Sequence, residues 1–96
     1  MHAAAIRVEL RLPGARSLKE KRSALRPVVE GLRRTASLSV AEVDHHDAWQ
    51  RIALGIAAVA PDATGLERVL TEAVRYLDGL FEVEVVDTEV SYLEVG

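Results

Sequence analysis

Cysteine is absent from this 96-residue chain, which excludes disulfides, thiolate zinc sites and cysteine nucleophiles. The absence fits a reducing cytoplasm, which is the expected location. Aromatic residues make up only 4% of the chain, with one tryptophan, one phenylalanine and two tyrosines. A surface that stacks bases on aromatics in its central strands is therefore not expected. Long apolar runs are missing too. The longest, Ile52 to Pro61, is interrupted by Gly55 and falls short of the ~20 residues that cross a bilayer, so no membrane partner is expected. The start has no basic leader followed by a long apolar segment, so no secretory signal is expected. There is no Gly-X-Gly-X-X-Gly, no P-loop and no Gly-X-Ser-X-Gly turn. With no phosphate cradle and no positioned nucleophile, the expectation is a protein that is not an enzyme and carries no cofactor.

What is present is a core-forming composition, 49% hydrophobic and 28% charged, in a length suited to one domain spanning residues 1–96. Net charge is −3, but its distribution is uneven. Residues 1–34 hold nine bases against three acids, a balance of +6, and residues 35–96 hold three bases against twelve acids, a balance of −9. Halves of opposite sign suit a basic face that meets a polyanion, or two faces that attract in an oligomer.

Residues 3–12 alternate, with Ala4, Ile6, Val8, Leu10 and Leu12 on one face and Ala5, Arg7, Glu9 and Arg11 on the other. That period of two predicts a half-buried strand, ended by Pro13-Gly14. Ser17-Leu18-Lys19-Glu20 reads as a capping box, in which the Ser17 hydroxyl accepts from the Glu20 amide and the Glu20 carboxylate reaches the Ser17 amide. The helix it opens has Leu18, Leu25, Val28, Val29 and Leu32 on one stripe. Lys21 and Arg22 fall at opposite borders of the stripe. Pro27 predicts a kink, with the helix continuing to about Arg34.

Leu38–Val43 and Arg51–Ala60 read as strands joined by a polar hairpin at 44–50. Asp62, or Thr64 with Glu67, caps a second helix that stops at Asp78-Gly79. Val83–Val95 is a last strand, with Val86, Thr88, Val90 and Tyr92 on one face. The order β-α-β-β-α-β predicts an α+β, ferredoxin-like two-layer sandwich: a four-stranded antiparallel sheet with both helices on one face. The other face is left open. If Ala53, Gly55, Ala57 and Val59 lie there, it is flat and small-sided and suits self-association into a homo-oligomer.

Three segments carry a resemblance to a known family: Ser17-Leu18-Lys19-Glu20-Lys21-Arg22-Ser23, Ser39-Val40-Ala41-Glu42-Val43-Asp44-His45 and Trp49-Gln50-Arg51. In them the chain resembles the YlxP-like family of small bacterial proteins of unknown function. The resemblance implies the ferredoxin-like fold but supplies no catalytic residue. In some bacteria the family's gene lies beside genes for translation initiation and ribosome maturation, including ribosome-binding factor A, which implies a link to the ribosome by association. Pro27, and His46 where a neutral polar residue is expected, stand apart from the pattern.

Two regions are candidate sites. Arg16, Lys19, Lys21, Arg22 and Arg26 gather at and after a helix N-terminus, whose dipole favours phosphate, so RNA or a ribosomal component is the expected partner. Asp44, His45, His46, Asp47, Trp49, Gln50 and Arg51 crowd into the hairpin. There a histidine beside an aspartate has the residue types for a general base, a metal site or a small-ligand site. Adjacent residues on a strand point to opposite faces, so His45 and His46 do not readily share one ion. A polar hairpin tip accounts for most of these residues without chemistry. Trp49 is either a lid on the core or an exposed anchor rimmed by Gln50 and Arg51.

Overall fold

The computed structural model describes residues 1–35 and 38–95. Its elements are β1 (His2–Arg11), α1 (Leu18–Thr35), β2 (Leu38–Asp44), β3 (Arg51–Ala60), α2 (Ala63–Asp78) and β4 (Glu84–Glu94). The strands form one antiparallel sheet in the order β2-β3-β1-β4. Both helices pack on one face, so the architecture is the expected ferredoxin-like sandwich. Ile6, Val8 and Leu10 of β1 and Ile52, Leu54 and Ile56 of β3 are essentially inaccessible. They meet Leu25, Val28 and Leu32 of α1 and Leu66, Leu70 and Leu77 of α2. Burying each such side chain contributes about 1.5–3 kcal/mol, which offsets the conformational entropy lost on folding.

Local signals act largely as read. The Glu20 amide donates to the Ser17 hydroxyl at 3.1 Å. The Glu20 carboxylate meets that hydroxyl at 3.4 Å, where the Ser17 amide was the expected partner. α1 runs unbroken through Pro27, which is exposed on its outer side. Asp62 is the cap α2 uses, accepting from the Gly65 amide at 2.7 Å. The helices approach closely at Gly31, where a Cβ would overlap the Tyr76 hydroxyl.

Two β-bulges depart from simple alternation. On β2 the register slips between Glu42, opposite Leu54, and Asp44, opposite Ala53. The extra residue, Val43, leans over Gly55, where a Cβ would come within 2.8 Å of a Val43 methyl. On β4 the register slips so that Leu10 pairs with Val85, while Glu9 pairs with Asp87. Val85 therefore packs against the core and Val86 is exposed, which corrects the expected grouping of Val86 with Thr88, Val90 and Tyr92.

Register also orders the open face. Val59, Ala3 and Leu93 form one row, and Ser39, Ala57, Ala5 and Ser91 the next. Towards the hairpin come Ala41, Gly55, Arg7 and Glu89, then Asp44, Ala53, Glu9 and Asp87. The face is thus apolar over only half its length.

Candidate functional site

All three family-like segments meet at one end of the sheet, because β1 ends where β3 begins: Arg11 lies opposite Arg51. The β1–α1 loop, the first turn of α1 and the β2–β3 hairpin converge there. Lys21 joins them. It is only 2% exposed. Its Nζ donates to His45 O at 2.7 Å and to Ala48 O at 2.9 Å. The same atom lies 2.9 Å from Glu42 Oε2. An ammonium has three donors, and two of them are bonded to these hairpin carbonyls. The contact with Glu42 is an ion pair outside hydrogen-bond angles, and Oε2, shielded from water, accepts no hydrogen bond. Lys21 therefore braces the hairpin from inside. Its expected place among phosphate-binding cations is corrected, because its charge is buried and already neutralised.

The position of Lys21 was legible. It falls three residues after Leu18 and four before Leu25, on the apolar stripe itself. Its charge argued for a border and its spacing for the interior, and spacing prevails because hairpin carbonyls are there to receive it.

Across the sheet, the bulge at Val43 turns Asp44 to the open face, where four side chains form a cluster. Arg7 donates to Glu9 at 2.8 Å and to Asp44 at 3.1 Å. His45 Nε2 lies 3.0 Å from Glu9 Oε2. The His45 amide donates to Asp44 Oδ1 at 2.7 Å, closing the turn, and His45 adopts a left-handed φ of 62°. That conformation is uncommon outside glycine and is held here by contacts on both sides of the residue. Ala53, between Glu9 and Asp44 in the register, is fully buried beneath the cluster.

Electrostatics follow from these contacts. Burial pushes the Glu9 carboxyl up, but the Arg7 hydrogen bond and the nearby His45 more than offset it, so Glu9 sits below its ordinary value. Asp44 is held down by the His45 amide and then by Arg7. Arg7 is raised by its bonds to Glu9 and Asp44.

Gln50 is a clamp more than a rim. Its Nε2 donates to Pro13 O at 3.2 Å and Ala15 O at 3.0 Å, while its own carbonyl accepts from the Leu12 amide at 2.9 Å. Asp44, His45 and Gln50 are thus engaged in holding the hairpin. Trp49 closes no part of the core: it is 53% exposed. His46, Asp47 and Arg51 are exposed as well. His46 sits on the opposite side from His45, beside Arg22 and Glu42. Among the described residues no group of three or more His, Asp or Glu side chains is arranged to hold a metal ion. His45 and its acidic neighbours are already paired with one another and with Arg7.

The remaining cations behave differently. Arg16, Lys19, Arg22 and Arg26 are all exposed, and among the described residues none is in an ion pair. Lys19, Arg22 and Arg26 follow one another at three- and four-residue spacing, a continuous row along the outside of α1. Among the described residues, no helix is long and apolar enough to cross a membrane.

Three of the matches to known proteins bear on the chain. Residues 3–90 match the model of a family described as protein of unknown function, DUF503. Over 70 residues the chain is 34% identical to the uncharacterized protein YlxP of Bacillus subtilis (strain 168), covering 73% of this chain and 76% of that protein. Among solved structures, the de novo designed protein Foldit4 superposes with a TM-score of 0.53 at 15% identity, covering 98% of this chain and 99% of the design. The last likeness concerns the fold alone.

Proposed function

The chain belongs to the DUF503 family of proteins of unknown function, and from that premise we propose that it is a non-enzymatic binding protein that meets RNA through the start of α1. The observation that carries this reading is the row formed by Lys19, Arg22 and Arg26, with Arg16 just before the helix. All four are exposed and, among the described residues, unpaired. Free cations along one helix face suit a phosphate backbone, and the positive end of the helix dipole adds to them. Such contacts position a partner without reading its sequence. Trp49, exposed in the hairpin at the same end of the fold, offers a flat apolar face of the kind on which bases stack. The resemblance to a family whose genes neighbour translation genes favours RNA, free or in a ribosomal particle, over other polyanions.

The test is fluorescence anisotropy with a labelled RNA over a range of salt. Each lost phosphate contact lowers the slope of log affinity against log salt by about 0.7 for a single strand. Replacing Arg16, Lys19, Arg22 and Arg26 together with alanine is expected to flatten the slope by up to about 3. Arg75→Ala, on α2, is expected to leave it unchanged. A wild-type chain that binds no RNA at low salt ends the proposal.

A further inference from the structure

The two edges of the sheet are finished differently. On β2, whose register turns the backbone groups of Val40 outward, Arg33 of α1 donates to Val40 O at 3.0 Å. That edge is short, seven residues, and plugged near its middle. β4 is eleven residues long and, among the described residues, has no such plug. The Val95 amide donates to Met1 O at 2.9 Å, and the Met1 amino group donates to Val95 O at 2.8 Å. Backbone groups alternate in direction along a strand, so Leu93, Ser91 and Glu89 also turn theirs towards β1. Thr88, Val90, Tyr92 and Glu94 then turn theirs outward. Among the described residues nothing bonds those outward groups. A row of free donors and acceptors is a template for another strand. Its apolar side chains are also uncovered: Val90 is 41% exposed and Tyr92 60%. The Tyr92 hydroxyl donates to Glu67 of α2 at 2.8 Å, which fixes the ring beside the edge.

We propose that this edge receives β4 of a second copy of the chain, antiparallel about a two-fold at Val90 or Ser91, so that two sheets become one. The acids of β4 disfavour registers centred earlier in the strand. A two-fold at Val90 sets Glu89 opposite Ser91 of the second copy, Asp87 opposite Leu93 and Thr88 opposite Tyr92. A two-fold at Ser91 sets Glu89 opposite Leu93. In neither does an acid lie directly opposite an acid, and only the two-fold at Val90 brings the two Glu89 side chains together, as diagonal neighbours. A two-fold at Glu89 would oppose Glu89 to itself and Glu84 to Glu94, which like-charge repulsion disfavours. The acids therefore exclude registers centred earlier in the strand, and two-folds beyond Ser91 leave fewer outward residues to pair. Both registers match residues with outward backbone groups to one another and extend the apolar row of Val90 and Tyr92 across the junction. The open face is the weaker surface for a second copy, because the cluster of Arg7, Glu9, Asp44 and His45 occupies much of it. The inference does not rest on RNA binding.

Sedimentation velocity on the full chain over a concentration series tests it, and a concentration-dependent dimer is expected. Val90→Pro removes an outward N–H without touching the β1 ladder. It is expected to weaken the dimer about ten-fold or more while circular dichroism keeps the native spectrum. Ser91→Glu faces Glu89 in one register and itself in the other, so it is expected to weaken the dimer in both. Ala57→Lys, on the open face, is expected to leave the dimer intact. A wild type that stays monomeric at high micromolar concentration overturns the proposal. So does a dimer that survives both β4 substitutions, or one that only Ala57→Lys abolishes.

Discussion

The hairpin end and the β4 edge are both rich in polar groups, yet they differ in whether those groups have partners. At the hairpin, Lys21, Gln50, Arg7, Glu9 and Asp44 are each bonded within the chain. At the β4 edge, the outward backbone groups of Thr88, Val90 and Tyr92 have no bond among the described residues. The region that looked most like an active site is thus largely satisfied, Glu42 Oε2 excepted, and the plainer strand carries a row of unmet backbone groups. A dense group of titratable side chains marks a site only when some of its capacity is left over. Here the capacity is spent on bracing a seven-residue strand, a bulge and a turn with a left-handed histidine.

The contrast can be broken at its strongest point. Lys21→Met leaves the carbonyls of His45 and Ala48 without a donor and Glu42 without a counter-charge. The expected loss is about 3 kcal/mol, read as a lowered midpoint in denaturant unfolding. Arg22→Met, one residue on, is exposed and is expected to change stability by less than about 0.5 kcal/mol. Equal effects would show that the hairpin does not depend on the buried ammonium. Gln50→Ala comes next. It removes two bonds to the β1–α1 loop, and a loss of about 1–2 kcal/mol is expected in the same measurement.

The smallest effect is in pH. Glu9 and Asp44 are lowered in the fold from ordinary values of 4.5 and 3.8. The unfolded chain therefore binds their protons more readily, and stability rises with pH through this range. Their contribution is complete above those ordinary values and is lost as pH falls through the lowered ones. In Glu9→Gln with Asp44→Asn, the acid limb of a stability-against-pH curve is expected to be shallower than in the wild type. Identical limbs would mean that the cluster stabilises nothing. Both carboxylates are partly exposed, so solvent screening keeps the difference modest.

Much of the fold was legible because its signals are local. The alternation of Ala4 to Leu12, the capping residue Ser17 and the Asp78-Gly79 stop each act within a few residues, and each appears in the structure. What escaped depends on register. The bulges at Val43 and Val86 shift which residues share a face, and bulges leave no reliable mark in a single strand's pattern. Trp49 was ambiguous for a related reason: a residue at a hairpin tip has no neighbours in its own segment to say whether the core reaches it.

The chain by itself determined the order of elements, the buried faces of β1, β3 and both helices, and the family. These follow from periodicity and capping, which act over one or two turns of chain. Only the tertiary structure decided that the buried Lys21 ammonium meets the carbonyls of His45 and Ala48 and the Glu42 carboxylate. It alone set His45 against Glu9, and left one sheet edge plugged by Arg33 and the other, among the described residues, bare. Those outcomes depend on carbonyls, carboxylates and strand edges brought together from distant parts of the chain. A hydrogen bond or ion pair is decided by the partner that folding delivers, and nothing in the donor's own segment records it.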